Sequence, residues 1–303
     1  MGARAEADRG DGRRYNGVVI LVDRGKPDEG TAAGLSALET RALTEMRRIV
    51  QTEGRDPNGA EIAGFDYKIV GDLLCRRQGR KCAYCEHPEQ RRKNDVEHFR
   101  PKGRADRGLF HSQSHGYWWL AWRWENLLFA CRNCNQDQGK GRGKVDRFPL
   151  DASSGVLVAE DDPYGGQADV ELPMLLDPSR ESGVDHIEYR KVDLVGEPHQ
   201  WRPLARGGSP RGDMAIWLLG LDREDLLEAY NEHVDREVIP LVDAFESPHP
   251  YTSTSDRVRH WRDIETKLYR KGTPFIGLSY DALRFLVPDA DLALLGIQRR
   301  VPR

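Results

Sequence analysis

Lys81-Cys82-Ala83-Tyr84-Cys85-Glu86 and Cys131-Arg132-Asn133-Cys134 carry two CxxC knuckles, with 45 residues between Cys85 and Cys131. The chain has five cysteines, so Cys75 is left over. The opening residues, Met-Gly-Ala-Arg-Ala-Glu-Ala-Asp-Arg-Gly, lack the apolar core of an export signal, and the expected compartment is the cytoplasm. Disulfides are disfavoured there. Two knuckles instead present four thiolates that can close tetrahedrally on one zinc ion. The plainer reading is four ordinary buried cysteines. The 45-residue separation exceeds that of a simple zinc ribbon, so a small structural unit must be inserted between the knuckles. Cys75 reads as a core residue on a helix face.

Charge singles out the same region. The 303 residues carry a formal net charge of −3. From Gly71 to Leu150 there are 17 Lys+Arg against 9 Asp+Glu, a net of +8, which leaves −11 for the rest. A basic segment inside an acidic chain suits a polyanion, although charge runs are often only solvated faces. No apolar run approaches the roughly 20 residues of a membrane span, so no membrane association is expected. Thirty glycines and seventeen prolines argue against a coiled coil or a simple helical bundle. Nothing resembles a P-loop, so ATPase chemistry would have to come from another chain.

Working outward, residues 1–16 read as poorly ordered and Gly17-Val-Val-Ile-Leu-Val22 as a short strand. Apolar spacing predicts helices over 35–50, about 66–77, 213–221, 222–244 with a kink or end at Pro240, and 256–269. Ser279 is expected to cap a last helix through Leu286. The organisation expected is a segment 1–64 with one helix, the cysteine-bounded unit 65–150, a loop-rich connection 151–211 and a helical region 212–303.

Between the knuckles lie Val96-Glu97-His98-Phe99-Arg100-Pro101-Lys102 and Trp124-Glu125-Asn126-Leu127, and Asn135 follows the fourth cysteine. This order resembles the zinc-bearing branch of HNH nucleases. The strings Lys81–Glu86, Val96–Lys102, Tyr117–Trp122, Glu125–Leu128 and Phe148–Leu150 are similar to HNH proteins of Septu-type and retron-associated antiphage systems. Leu176-Asp-Pro178 and Ile216–Asp222 resemble later blocks of that family, and Arg24-Gly-Lys-Pro27 its N-terminal segment. The resemblance implies an α+β protein with a zinc-stapled ββα-metal, treble-clef-like unit, N-terminal elements and a mainly helical C-terminal region. It implies His98 as general base and Glu97 with Asn135 as ligands of a catalytic Mg2+ or Mn2+. It implies Asn126 as a brace for the loop bearing the base, and Lys144 near the phosphate. Service as the nuclease of an antiphage complex beside a separate ATPase subunit is implied as well.

The chemistry asks for the same residue types. Phosphodiester hydrolysis needs a deprotonated water, which neutral histidine supplies near pH 7. It also needs stabilisation of the negative charge on the phosphate and the leaving oxygen, which a hard cation held by carboxylate and amide oxygens provides. Arg100, Lys102, Lys140 and Lys144, with Arg104 and Arg142, are expected to neutralise phosphates of a DNA substrate. Zinc on Cys82, Cys85, Cys131 and Cys134 would be structural, since four thiolates leave no open position. His87, His111 and His115 are further candidate ligands or DNA contacts, while Trp118, Trp119, Trp122 and Trp124 read as core. A non-catalytic zinc module that binds nucleic acid or a protein is the alternative.

Overall fold

Asp28 opens the first helix because its carboxylate accepts the Thr31 N–H at 2.9 Å, and Gly54 closes it in the left-handed region at φ 63°. Helix α1 (Glu29–Glu53) thus extends beyond the expected 35–50 at both ends. It buries Leu35, Leu38, Ala42, Met46 and Ile49, a single stripe at helical spacing. These features belong to a computed structural model that describes residues 22, 24–165, 169–194, 197–247 and 252–302. The expected disorder of 1–16 and most of the expected strand 17–22 lie outside the described residues.

A capping box, with Asn58 and Glu61 each accepting the other's backbone N–H, starts the short α2 (Gly59–Ala63). The expected helix over 66–77 divides into a 3₁₀ turn, Tyr67–Val70, and α3 (Gly71–Arg77), which buries Leu74 and Cys75.

The stretch between the knuckles forms β1 (Asp95–His98) and β2 (Leu127–Ala130), an antiparallel pair with His98 opposite Leu127 and Asp95 opposite Ala130. The second knuckle turns directly into α4 (Arg132–Asn135), so two strands run into a helix around the cysteines. Trp118, Trp119, Trp122 and Trp124 connect the strands, and none is more than 7% exposed. They are core residues, as expected. Arg24 seals the entry to β2: its guanidinium donates to the carbonyl oxygens of Trp124 at 2.8 Å, Glu125 at 3.1 Å and Leu127.

Within the expected loop-rich connection lies a second antiparallel hairpin, β3 (Ile187–Leu194) with β4 (Glu197–Ala205). Helix α5 (Pro210–Leu219) follows, capped by Ser209 and ended by Gly220 at φ 58°. Helix α6 (Glu224–His233) passes through a π-helical turn, Val234–Val238, into α7 (Ile239–Glu246). Pro240 therefore neither ends nor breaks the run. The widened turn accommodates a ring that would clash with the carbonyl four residues back.

Helix α8 (Thr254–Leu268) has a Ser253–Asp256 capping box. Helix α9 (Ile276–Leu286) begins three residues before Ser279, which does not cap it. Ser279 is buried and its hydroxyl meets His233 Nε2 at 2.8 Å. A last helix, α10 (Asp289–Leu294), completes the described elements. One hydrophobic cluster runs from Leu35 to Ile297 and takes in residues of all four expected segments. No described helix is long and apolar enough to cross a membrane.

Candidate functional site

The two knuckles meet. Cys82, Cys85, Cys131 and Cys134 are all buried, none is in a disulfide, and their sulfurs lie within 4.8 Å of one another. A tetrahedral zinc with bonds of about 2.3 Å requires sulfurs about 3.8 Å apart. Cys85 and Cys131 stand at 3.8 Å. Backbone N–H groups aim at the sulfurs, from Cys131 to Cys82 at 3.3 Å and from Cys134 to Cys131 at 3.4 Å.

Hydrogen bonds from Cys134, Cys82 and Cys85 hold the Cys131 thiol far below its ordinary range. Burial pushes Cys82 up, and bonding to Cys131 pushes Cys134 up. Four buried sulfurs brought this close need a cation to carry their charge as thiolates. The donor set therefore fits zinc. Cys75 lies apart on α3, as expected.

Residues of β1 also line a cleft of about 560 Å³, with Glu97, His98, Lys102 and Asn135 among its walls. His98 ends β1, and Asn126 holds the turn that follows. Asn126 Oδ1 accepts the Arg100 N–H at 2.8 Å, and its Nδ2 donates to the carbonyls of Arg100 and Leu120, both at 3.1 Å. The amide is wholly buried, and its bonds tie the backbone of residue 100 to that of residue 120.

His98 Nε2 faces the Ala121 carbonyl at 2.9 Å. A carbonyl only accepts, so Nε2 carries the proton and Nδ1 keeps its lone pair. Among the described residues Nδ1 has no partner. Burial, then the charges of Lys102 and Lys144, hold the His98 pKa well below the ordinary value, and the Ala121 carbonyl offsets only part of this. The ring is therefore uncharged at neutral pH. Tyr67 packs edge-on against it with centroids 4.6 Å apart.

Glu97 is tied to Lys144, whose Nζ lies 2.5 Å from its Oε1 and donates to His98 O at 2.6 Å. Lys144 is fully buried, with Gly143 before it in a conformation (φ 88°) where a Cβ would strike Gln136 O. Burial raises the Glu97 pKa against the opposing charge of Lys144. Across the cleft, Asn135 Nδ2 donates to Asp95 Oδ2 at 3.1 Å, leaving Oδ1 without a partner among the described residues.

The expected phosphate contacts separate. Lys102 lines the cleft, its ammonium 5.0 Å from the Tyr67 ring centre. Lys140 is exposed on the Gly139–Arg142 turn, outside the cleft lining. Arg100 is 1% exposed and bound by Asp169 at 2.5 Å, Glu171 at 3.1 Å and Tyr164 at 3.1 Å. Arg100 and Lys144 thus present no charge to solvent.

Arg104 is exposed, 3.7 Å from Asp146, and Arg142 is bidentate to Asp222 at 2.9 and 3.1 Å. His87 meets Glu89 at 3.1 Å, His111 the Asp151 carbonyl and His115 the Leu157 carbonyl at 2.9 Å. Sequence reading missed Asp95, Asp137, Lys68 and Arg91, which also line the cleft. Asp95 was detectable, since residues two apart on a strand share a face and Glu97 was already singled out. Lys68 and Arg91 carry no spacing signal.

The fold and the two sites define a protein of mixed helices and small sheets with a four-cysteine cluster capable of binding a metal and a cleft lined by histidine, carboxylate and amide side chains. Over 202 residues the chain is 29% identical to the Septu protein PtuB of Bacillus mycoides (strain KBAB4), covering 66% of this chain. It spans 62% of the length of that relative. No family model matches the chain. No solved structure matches it either.

Proposed function

We propose that the chain is a metal-dependent endonuclease of the HNH type, hydrolysing DNA phosphodiester bonds with His98 as the general base. The observation that carries this reading is His98, which lines the cleft with Glu97 and Asn135 while its Nε2 is fixed on the Ala121 carbonyl. A base must be held at hydrogen-bond reach of its water in one tautomer. The Ala121 carbonyl supplies that constraint. Two strands running into α4 around the cysteines support a ββα-metal core.

The second carboxylate oxygen of Glu97 and Oδ1 of Asn135 are the protein oxygens suited to hold Mg2+ or Mn2+. Such a cation, when bound, supplies charge stabilisation to the phosphate and the leaving oxygen. Lys102 is the expected basic residue placed to steady a neighbouring phosphate. Zinc on the four cysteines would hold the unit together, and Asn126 would fix the His98 turn. Arg100 and Lys144 act here as buried positioning residues, in place of the phosphate contacts expected of them.

Similarity to a Septu protein supports a role in antiphage defence beside a partner subunit; that the partner is an ATPase and the compartment the cytoplasm is part of the proposal. The non-catalytic reading, a zinc module that binds nucleic acid or a protein, has one observation in its favour: Lys144 already neutralises the Glu97 carboxylate.

Plasmid nicking decides between them. The wild-type chain with Mn2+ or Mg2+ is expected to nick DNA and to stop when EDTA is added. His98→Ala is expected to lose at least about 100-fold in rate with zinc content unchanged. Cleavage that persists in His98→Ala removes the assigned mechanism, whereas DNA binding without cleavage by the wild type establishes the non-catalytic module.

A further inference from the structure

Arg223 sits in the turn between α5 and α6, 89 residues beyond Cys134 in sequence, and was not among the expected site residues. Its Nη1 lies 3.8 Å from Cys134 Sγ and its Nη2 3.9 Å from Cys85 Sγ. One planar fork therefore touches a sulfur from each knuckle. Its Nη1 also donates to Gly220 O at 3.1 Å, and its Nε pairs with Asp225 at 2.9 Å. Asp225 in turn accepts from Asn133 Nδ2, inside the second knuckle, at 3.3 Å. The Arg223 side chain is only 12% exposed.

Four thiolates around a divalent zinc leave the centre with a surplus of two negative charges. Surrounded by protein, that surplus is costly unless a cation stands beside it. A guanidinium reaches two sulfurs and still holds a carboxylate on its third nitrogen, which an ammonium on a flexible stem does not. The rest of the turn is fastened to the same place. Gly143 N donates to Leu218 O at 2.7 Å, and Asp222 takes the bidentate pair from Arg142. The contacts of residues 218–225 thus converge on the cysteine side of the cleft-bearing unit.

We propose that Arg223 is the charge-compensating partner of a metal–thiolate centre and couples the ordering of the α5–α6 turn to metal loading. The inference rests on the zinc reading of the four cysteines and is independent of the nuclease reading. With the metal in place, the sulfurs keep full charge and hold the guanidinium. Without it, no common tetrahedron holds Cys85 and Cys134 in place, and Arg223 loses the fixed pair of sulfurs that its fork spans.

The test uses the full chain as wild type, Arg223→Lys and Arg223→Ala. Zinc content is measured by mass spectrometry, zinc release by a colorimetric chelator, and amide hydrogen exchange over residues 220–225. Loss of an outer partner typically weakens a metal site about 10–100-fold. Zinc release at least about tenfold faster is therefore expected in Arg223→Ala. Arg223→Lys keeps the charge but loses one arm of the fork, and should fall between the two. If Arg223→Ala does not fold, the lysine variant carries the comparison against wild type.

Chelating the wild type is expected to raise exchange at 220–225. Wild-type release rates in the variants, or a turn that stays protected after chelation, would overturn the proposal. Wild-type protein that purifies folded and free of bound metal would overturn the zinc reading together with it. Nicking activity enters none of these outcomes.

Discussion

Lys144 Nζ lies 2.5 Å from Glu97 Oε1 inside the protein, with the lysine side chain wholly buried and the carboxylate 7% exposed. The same ammonium donates to the carbonyl of His98. One cation thereby fixes both the carboxylate and the backbone of the neighbouring histidine. Removing it leaves an unpaired carboxylate away from water, which is worth about 3–5 kcal/mol in buried pairs. Lys144→Met is expected to lose stability on that scale in urea unfolding, and adding Glu97→Gln should restore part of it. A surface lysine serving only phosphate would change stability by less than about 0.5 kcal/mol. A loss that small in Lys144→Met would refute the buried pairing.

His98 gives a pH dependence with a defined sign. Its folded-state pKa is held well below the ordinary 6.5 by burial first and then by Lys102 and Lys144. An unfolded chain binds the proton at 6.5 while the native ring stays neutral. Stability is therefore fully present above 6.5 and declines as pH falls from there toward the folded value. His98→Asn is expected to flatten this part of the stability curve. In cleavage assays the acid limb assigned to the base should lie below 6.5, since the imidazole remains a base there. A limb at or above 6.5 that vanishes in His98→Asn would contradict the buried neutral ring.

Asn126 satisfies both backbone groups of Arg100 and the carbonyl of Leu120. Asn126→Ala strands them, at roughly 1–3 kcal/mol for each orphaned group that finds no water. The turn after His98 loses its brace in the same step. Lower thermal stability is expected together with a lower kcat at nearly unchanged KM. Asn126→Ala with wild-type stability would show that the brace is dispensable.

The four-cysteine cluster makes its own prediction. Cys134→Ser replaces one sulfur by an oxygen that zinc holds poorly beside three thiolates, and Cys75→Ser leaves the four ligands intact. Zinc content and the thermal transition are expected to collapse in the first and to persist in the second, with a modest loss from the buried hydroxyl. Equal zinc content in both variants would rule out the assigned ligand set.

What was legible in the sequence follows from what each residue type can do at a given spacing. The CxxC pairs were readable because sulfur spacing on a turn is short-range. Tryptophans 118, 119, 122 and 124 read as core because large apolar rings beside Leu120 and Leu127 have few other places to go. The polar residues were harder. Arg100 pairs with Asp169 and Glu171, 69 and 71 residues away, and nothing local shows that the chain returns to bury that charge. Lys144 and Glu97 pose the same problem. Ser279 had the sequence look of a cap, yet helix α9 starts earlier from Phe275, at φ 50°, and the serine turns inward to His233. Arg223 was invisible for a related reason, because its two sulfur partners belong to different knuckles.

The contrast between Arg100 and Lys102 turns this difference into a measurement. They are two residues apart, carry the same charge, and were both expected at phosphate. Lys102 lines the cleft, half-buried against Tyr67, whereas Arg100 is held by two carboxylates and a tyrosine. Lys102→Ala is expected to leave the thermal midpoint nearly unchanged. It should weaken DNA binding across sequences and lower the slope of log affinity against log salt by about one. Arg100→Met should do the reverse. Two carboxylates lose their shared partner, stability falls by about 3–5 kcal/mol, and the salt slope of the fraction that remains folded stays at the wild-type value. Fluorescence anisotropy on labelled duplex at several salt concentrations, paired with urea unfolding, separates the two. A salt slope reduced in Arg100→Met and unchanged in Lys102→Ala would mean that the cleft is not where the phosphate backbone lies.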